Sequence, residues 1–441
     1  MGFVMRKDLV KCFGVFLGAF LFSFIFLYVI APIYCDEIWV YGFSYNLSKG
    51  LMIYRDYNVL QMPLYFLIVS VFIKIFGSYI IVMHLFDSLL FAFMMVMLYK
   101  IINWKFLILL PVFMFFWPSG YNFLCLFFLI LIIYLIHEKK DKDWLIAFIV
   151  GLCFITKQNI GIFLFVPAFL YSKNKLKSII CFFIPFLVLS IYLIYNDAFY
   201  QFVDYVFLGM LDFGANNKHT EGIFLFLFIT NIVILIYLLF KYKLKNKELF
   251  FVLMFQLIMY PIFDSRHYVC ALFPFLYLIL KKVNSSIFLK ILGVGLFFLE
   301  VSLLLGIRIK INFSNEIDFL RNNGDFSLLA REVKEYVGDC DNFFFDEYYN
   351  YYIKLYYNIP IGQYDLLLSG NVGYNGMVKK LNELTELCNR EKCYFFVGEE
   401  DLEYKDGISS SQYSDFYNYI KDNYVKVDSL FEFDIYTNYI E

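Results

Sequence analysis

The chain has 441 residues, of which 61% are hydrophobic and 22% aromatic, with 57 Phe, 38 Tyr and a mean hydropathy of +0.66. So large an apolar fraction excludes a water-soluble globular protein and points to a chain that threads a bilayer many times. The net charge of −2 conceals an asymmetry: residues 307–441 hold 24 acidic against 13 basic side chains, and residues 1–306 hold 15 against 24, which reads as a membrane bundle with basic loops followed by an acidic soluble domain.

The first apolar run, about Phe13 to Tyr34, follows Arg6, Lys7 and Lys11 and lacks a small-residue cleavage site, so it reads as a retained span. A polar, acid-containing stretch comes next, with Asp36 and Glu37 at its start, the turn YRDY at 54–57, and Gln61-Met62-Pro63 leading into a short run over 63–76 that carries Lys74. Further apolar runs cover 79–99, 102–117, 121–136, 144–156, 159–171, 178–195, 223–240, 249–263, 269–280 and 286–306, twelve in all. Basic clusters at the N-terminus and at 137–143, 172–177, 241–248 and 281–286 mark cytoplasmic loops. If all twelve runs crossed, the HEKKDKD loop at 137–143 would face outward. Treating 63–76 as an interfacial helix on the outer face puts every basic loop inside. The resulting expectation is eleven spans in the cell membrane, a cytoplasmic N-terminus and an extracytoplasmic 307–441. The polar tips 35–62, PSGYN, TKQN, 197–222 and DSRH then all emerge on the outer face.

Within the apolar runs, His84 and Asp87 (i, i+3) read as a buried hydrogen-bonded pair, and Glu300 has no assigned role. Most of the nine Cys lie in apolar runs and read as small core residues, while Cys340, Cys388 and Cys393 lie in the acidic part, where a disulfide is open. In that part, helical spacing marks 326–337, 375–390 and QYSDFYNYIKDNYVKV, and NFFFDEY, KCYFFVGE and FEFDIYTN read as strands. Helices alternating with strands predict a small α/β layer with a largely parallel sheet.

The acidic stretch resembles the polytopic GT-C glycosyltransferases that use polyprenyl-phosphate sugars, in the branch of protein O-mannosyltransferases and lipid A aminoarabinose transferases. That family carries an acidic motif early in the first outer loop, then small residues, Gly, Y-x-D and a P-P-L-Y start to the next apolar segment. Here the motif is CDEIW with Asp36 and Glu37, followed by GLMIYRDYNVLQMPLYFLI, in which Met62 replaces the first proline. FITKQNIGIFLF and FDSRHYVCALFPF resemble later outer tips of the family, so the likeness covers most of residues 12–306. The tail shares architecture alone.

The resemblance implies an all-α polytopic bundle of about eleven spans over 1–306, with a catalytic first outer loop at 35–78 and a small extracytoplasmic α/β domain over 307–441. It implies sugar transfer from a lipid-phosphate donor to a glycan, lipid or protein acceptor on the outer face by an inverting displacement. Such chemistry needs a base for the incoming nucleophile and cations for the departing phosphate. Asp36 is the expected base, Glu37 an alternative base or orienting group, and Asp56 a third carboxylate that could fold back to them. Asp36 with Asp56 could hold Mg or Mn by oxygen ligation, and no other cofactor is implied. Lys157, Arg266 and His267 are the expected phosphate contacts, and Tyr57, Gln61, Tyr121, Asn122 and Gln158 the expected substrate contacts. Carboxylates and cations are expected to line one cavity at the outer end of the bundle. Two other readings stay open: a flippase of lipid-linked saccharides, against which stands the lack of an internal repeat, and a catalytically inactive relative. Nucleic acid is not an expected partner.

Overall fold

The computed structural model describes residues 2–25, 35–110, 120–140, 142–210, 222–241, 246–260, 262–282, 323–340, 342–345, 353–365, 373, 376–398 and 418–438, apart from 356, 358 and 432. Helices in chain order are α1 Gly2–Ile25, α2 Cys35–Ser48, α3 Leu64–Phe76, α4 Ile80–Ile102, α5 Gly120–His137, α6 Asp143–Phe154, α7 Gln158–Tyr171, α8 Lys175–Tyr195, α9 Gly222–Lys241, α10 Lys247–Phe255, α11 Ser265–Lys282, α12 Asn323–Val337 and α13 Gly376–Cys388. Among the described residues five helical stretches are long and apolar enough to cross a membrane: Asp8–Ile25, Ile80–Leu109, Gly120–His137, Lys175–Tyr195 and Gly222–Lys241. Leu64–Phe76, Asp143–Phe154, Gln158–Tyr171 and His267–Lys281 are shorter apolar helices. The expected run at 102–117 begins as a 3-10 continuation of α4 after Asn103, whose φ is +52°. Residues 111–119, the last run at 286–306 and Glu300 lie outside the described residues.

The chain forms two compact units. The first gathers residues 1–32, 62–191 and 220–314. Here α1 packs along α4 through Phe16 against Phe93 (5.1 Å between ring centroids) and Phe22 against Phe91 (6.4 Å). α3 is amphipathic, burying Tyr65, Phe66, Val69, Ser70 and Ile73 at helical spacing, with Phe72 tilted on Phe86 of α4 at 5.2 Å. The Tyr65 hydroxyl donates to Asp87 at 3.0 Å, and His84 and Asp87 are both buried. Two glycines let α6, α7 and α8 approach closely. A methyl group at Gly161 would overlap the backbone of Phe154, and one at Gly151 would overlap the Phe182 carbonyl.

The second unit gathers residues 33–61, 192–219 and 315–441 around a four-stranded sheet in the order β1-β2-β4-β3. The strands are β1 Phe343–Phe345, β2 Tyr394–Gly398, β3 Val425–Leu430 and β4 Phe433–Thr437. Alternation along β1 and β2 sends side chains to two cores. Phe343, Phe345, Tyr394 and Phe396 meet Leu329, Ala330, Val333 and Val337 of α12, while Phe344, Phe395 and Val397 meet Leu381, Leu384 and Cys388 of α13. The expectation of a largely parallel sheet is corrected: only β1–β2 is parallel, and β2–β4 and β3–β4 are antiparallel. The reason is local, since β3 and β4 are joined by a tight turn with Phe431 at φ +52°, and a short hairpin can only reverse direction. The helix expected to run through VKV stops before the period-two strand Val425–Leu430. A disulfide, Cys388–Cys393, ties the end of α13 to the start of β2.

Candidate functional site

Asp36 and Glu37 sit in the first turn of α2, a helix buried on nearly all sides within the second unit. The side chain of Asp36 lies outside the described residues, whereas Glu37 is only 4% exposed. A carboxylate so deeply placed is more than a solvated loop charge.

The loop after α2 is held in one shape by its own side chains. Tyr54 takes φ +71°, an uncommon conformation for a bulky residue. It is fixed by a backbone bond from its N–H to the Tyr57 carbonyl (2.9 Å) and by its hydroxyl donating to the Gln61 carbonyl (2.7 Å). Asp56 Oδ1 accepts from Arg55 Nε at 2.8 Å, and Oδ2 accepts from Arg55 Nη2 at 2.9 Å and from the Met52 amide at 2.6 Å. The hydrogen-bonded Arg55 guanidinium holds the Asp56 carboxyl below the usual carboxylate range. Arg55 also donates to the Asn196 carbonyl at 3.3 Å. Both Asp56 oxygens are thus engaged in holding the turn. Among the described residues no group of three or more His, Cys, Asp and Glu is arranged to hold a metal ion. Tyr57, expected to touch substrate, is buried, stacks on Phe43 at 5.8 Å and donates to the Phe43 carbonyl at 2.9 Å. The side-chain oxygen of Gln61 is sealed from solvent and has no hydrogen-bond partner among the described residues.

The cationic set belongs to the first unit, and several of its members come together there. Lys157 occupies the extended position before α7, and its ammonium donates to Asn122 Oδ1 at 2.8 Å and lies 5.6 Å from the centre of the Tyr121 ring. The neighbouring Asn159 donates to the Tyr260 carbonyl at 3.1 Å, joining this tip to the one that leads into α11. Asp264, close enough to act electrostatically on Lys157, caps α11 by accepting from the His267 amide at 2.8 Å. The same oxygen meets His267 Nδ1 at 2.8 Å, which fixes the orientation of the ring. The Arg266 side chain lies outside the described residues, and Gln158 is half-buried at the start of α7.

Sequence reasoning passed over Arg55, although its place beside Asp56 in YRDY was a signal. It also passed over Asn46 of α2, whose side chain pairs with Ile361 through Nδ2 to the carbonyl at 2.6 Å and Oδ1 from the amide at 3.1 Å. No local pattern announces that pairing.

No family model matches the sequence, and no curated protein matches it. A solved structure does: ArnT from Cupriavidus metallidurans, crystallised with undecaprenyl phosphate, aligns over 98% of this chain and 98% of its own with a TM-score of 0.51 at 12% identity. The apolar helices, the small C-terminal sheet and this end-to-end likeness together give the chain a fold like that of ArnT.

Proposed function

We propose that the chain transfers a sugar from a polyprenyl-phosphate-linked donor to an acceptor on the outer face of the membrane. The observation that carries this reading is the fold shared over 98% of both chains with ArnT, a protein that binds undecaprenyl phosphate. Lys157, held by Asn122 and Tyr121, and the oriented His267 with its neighbour Arg266 supply charge and N–H donors for the lipid phosphate as it departs. Tyr121 and Asn122 act by holding Lys157, with Gln158 beside them. Asp36 serves as the base that takes the acceptor's proton in an inverting displacement, and the buried Glu37 orients it. Asp56 maintains the turn that follows, because its oxygens are already bound to Arg55 and Met52. The disulfide Cys388–Cys393 supports an extracytoplasmic C-terminal part, since such bonds persist in oxidising compartments.

The test is to incubate the purified full chain with a panel of polyprenyl-phosphate sugars and membrane extract, and to follow sugar transfer by mass spectrometry. Asp36→Asn keeps shape while removing basicity and is expected to lower turnover by about two to four orders of magnitude. No transfer from any donor in the panel, or parental rates in Asp36→Asn, Glu37→Gln and their double variant, overturns the proposal.

A further inference from the structure

Asn46 is fully buried and pairs with both backbone groups of Ile361, 315 residues away, as a neighbouring strand would. One turn earlier on the same face of α2, a methyl group at Gly42 would overlap Ile361 Cδ1, so the helix backbone lies directly on that residue. The segment around Ile361 is itself pinned. The Gly362 amide donates to Asp365 Oδ2 at 2.6 Å, and the Asp365 carboxylate takes Lys354 Nζ at 2.7 and 2.8 Å. The Lys354 ammonium lies 5.1 and 5.0 Å from the ring centres of Phe343 and Phe344 in β1. The Lys354 and Asp365 side chains are 5% and 0% exposed. A buried ion pair of this kind contributes little net stability, because desolvation offsets attraction, but it does impose a geometry. The contacts therefore run without a break from β1 through Lys354, Asp365 and Ile361 to Asn46, and α2 carries them along one rigid helix to its acidic first turn.

We propose that the segment 359–365 is a positioning element for the acidic end of α2, acting through Asn46, so that the C-terminal part sets where the proposed base stands. The inference rests on the transfer reading for its catalytic consequence, but the tie itself can be tested alone. Asn46→Ala removes both bonds, and Asn46→Asp keeps the acceptor for the Ile361 amide while losing the donor. In full-length protein in lipid nanodiscs, hydrogen exchange over residues 37–48 should rise about tenfold in Asn46→Ala, with β2 and β4 staying within about twofold of the parent. Affinity for undecaprenyl phosphate should be unchanged, and with a donor used by the parent kcat should fall about tenfold at a KM within about twofold. Asn46→Asp should lie between. Unchanged exchange over 37–48, equal opening of the sheet, or a parental kcat in Asn46→Ala would overturn the proposal. A parent chain that transfers no sugar would instead sink the transfer reading, leaving the exchange comparison to decide the tie.

Discussion

Asp56 is bound by the residue next to it, in a turn where Tyr54 takes a positive φ rather than in a regular helix or strand. Its acidic position was plain in YRDY; its commitment to Arg55 was not, because adjacent side chains face each other only in such a turn. The lowered carboxyl has a consequence for pH. A group whose folded pKa lies below the ordinary 3.8 adds stability above that value and loses it as pH falls through the folded one. The gap in thermal midpoint between the parent and Asp56→Asn should therefore be widest near neutral pH and close as the solution is acidified below 3.8; a gap that widens on acidification contradicts the pairing. Lys157 offers a second test. Lys157→Gln keeps a donor for Asn122 but removes the charge, and titration with undecaprenyl phosphate should show affinity lower by about tenfold or more. Equal affinity would remove Lys157 from the phosphate set.

The helices were the most legible elements, because apolar spacing recurs over whole turns. The amphipathic faces of α12 and α13 stand where 326–337 and 375–390 placed them. Strand β3 was missed because a short helix runs straight into VKVDSL, and a periodicity that changes within a few residues gives neither pattern room to declare itself. Close helix approach was equally hidden, since glycines in apolar runs look alike in sequence. Gly161→Ala should destabilise the α6–α7 pair by about 1–3 kcal/mol, as overpacking against an immovable backbone does. Gly14→Ala in α1, where nothing lies within 4 Å, should be neutral or slightly stabilising. Thermal unfolding of the two variants in detergent checks the contrast, and equal midpoints would refute the close approach.

Composition and charge declared a membrane bundle with an acidic tail, and the orientation they imply can be read directly: a reporter fused after Glu441 should register as extracytoplasmic and one inserted at 137–143 as cytoplasmic. A cytoplasmic signal from the C-terminal fusion would overturn the threading. What no local pattern could declare is that residues 33–61 and 192–219 fold with the tail, because the groups that join them are separated by most of the chain. The Asn46–Ile361 pairing spans 315 residues, and at 5–20 residues per second roughly 15–60 s of synthesis separate the two partners. Throughout that interval α2 exists without the backbone it will bind, its amide satisfied by water or by a chaperone. Assembly of the acidic helix is therefore among the last events in the making of this protein, and a ribosome that stops short of Ile361 leaves α2 without the backbone that holds Asn46.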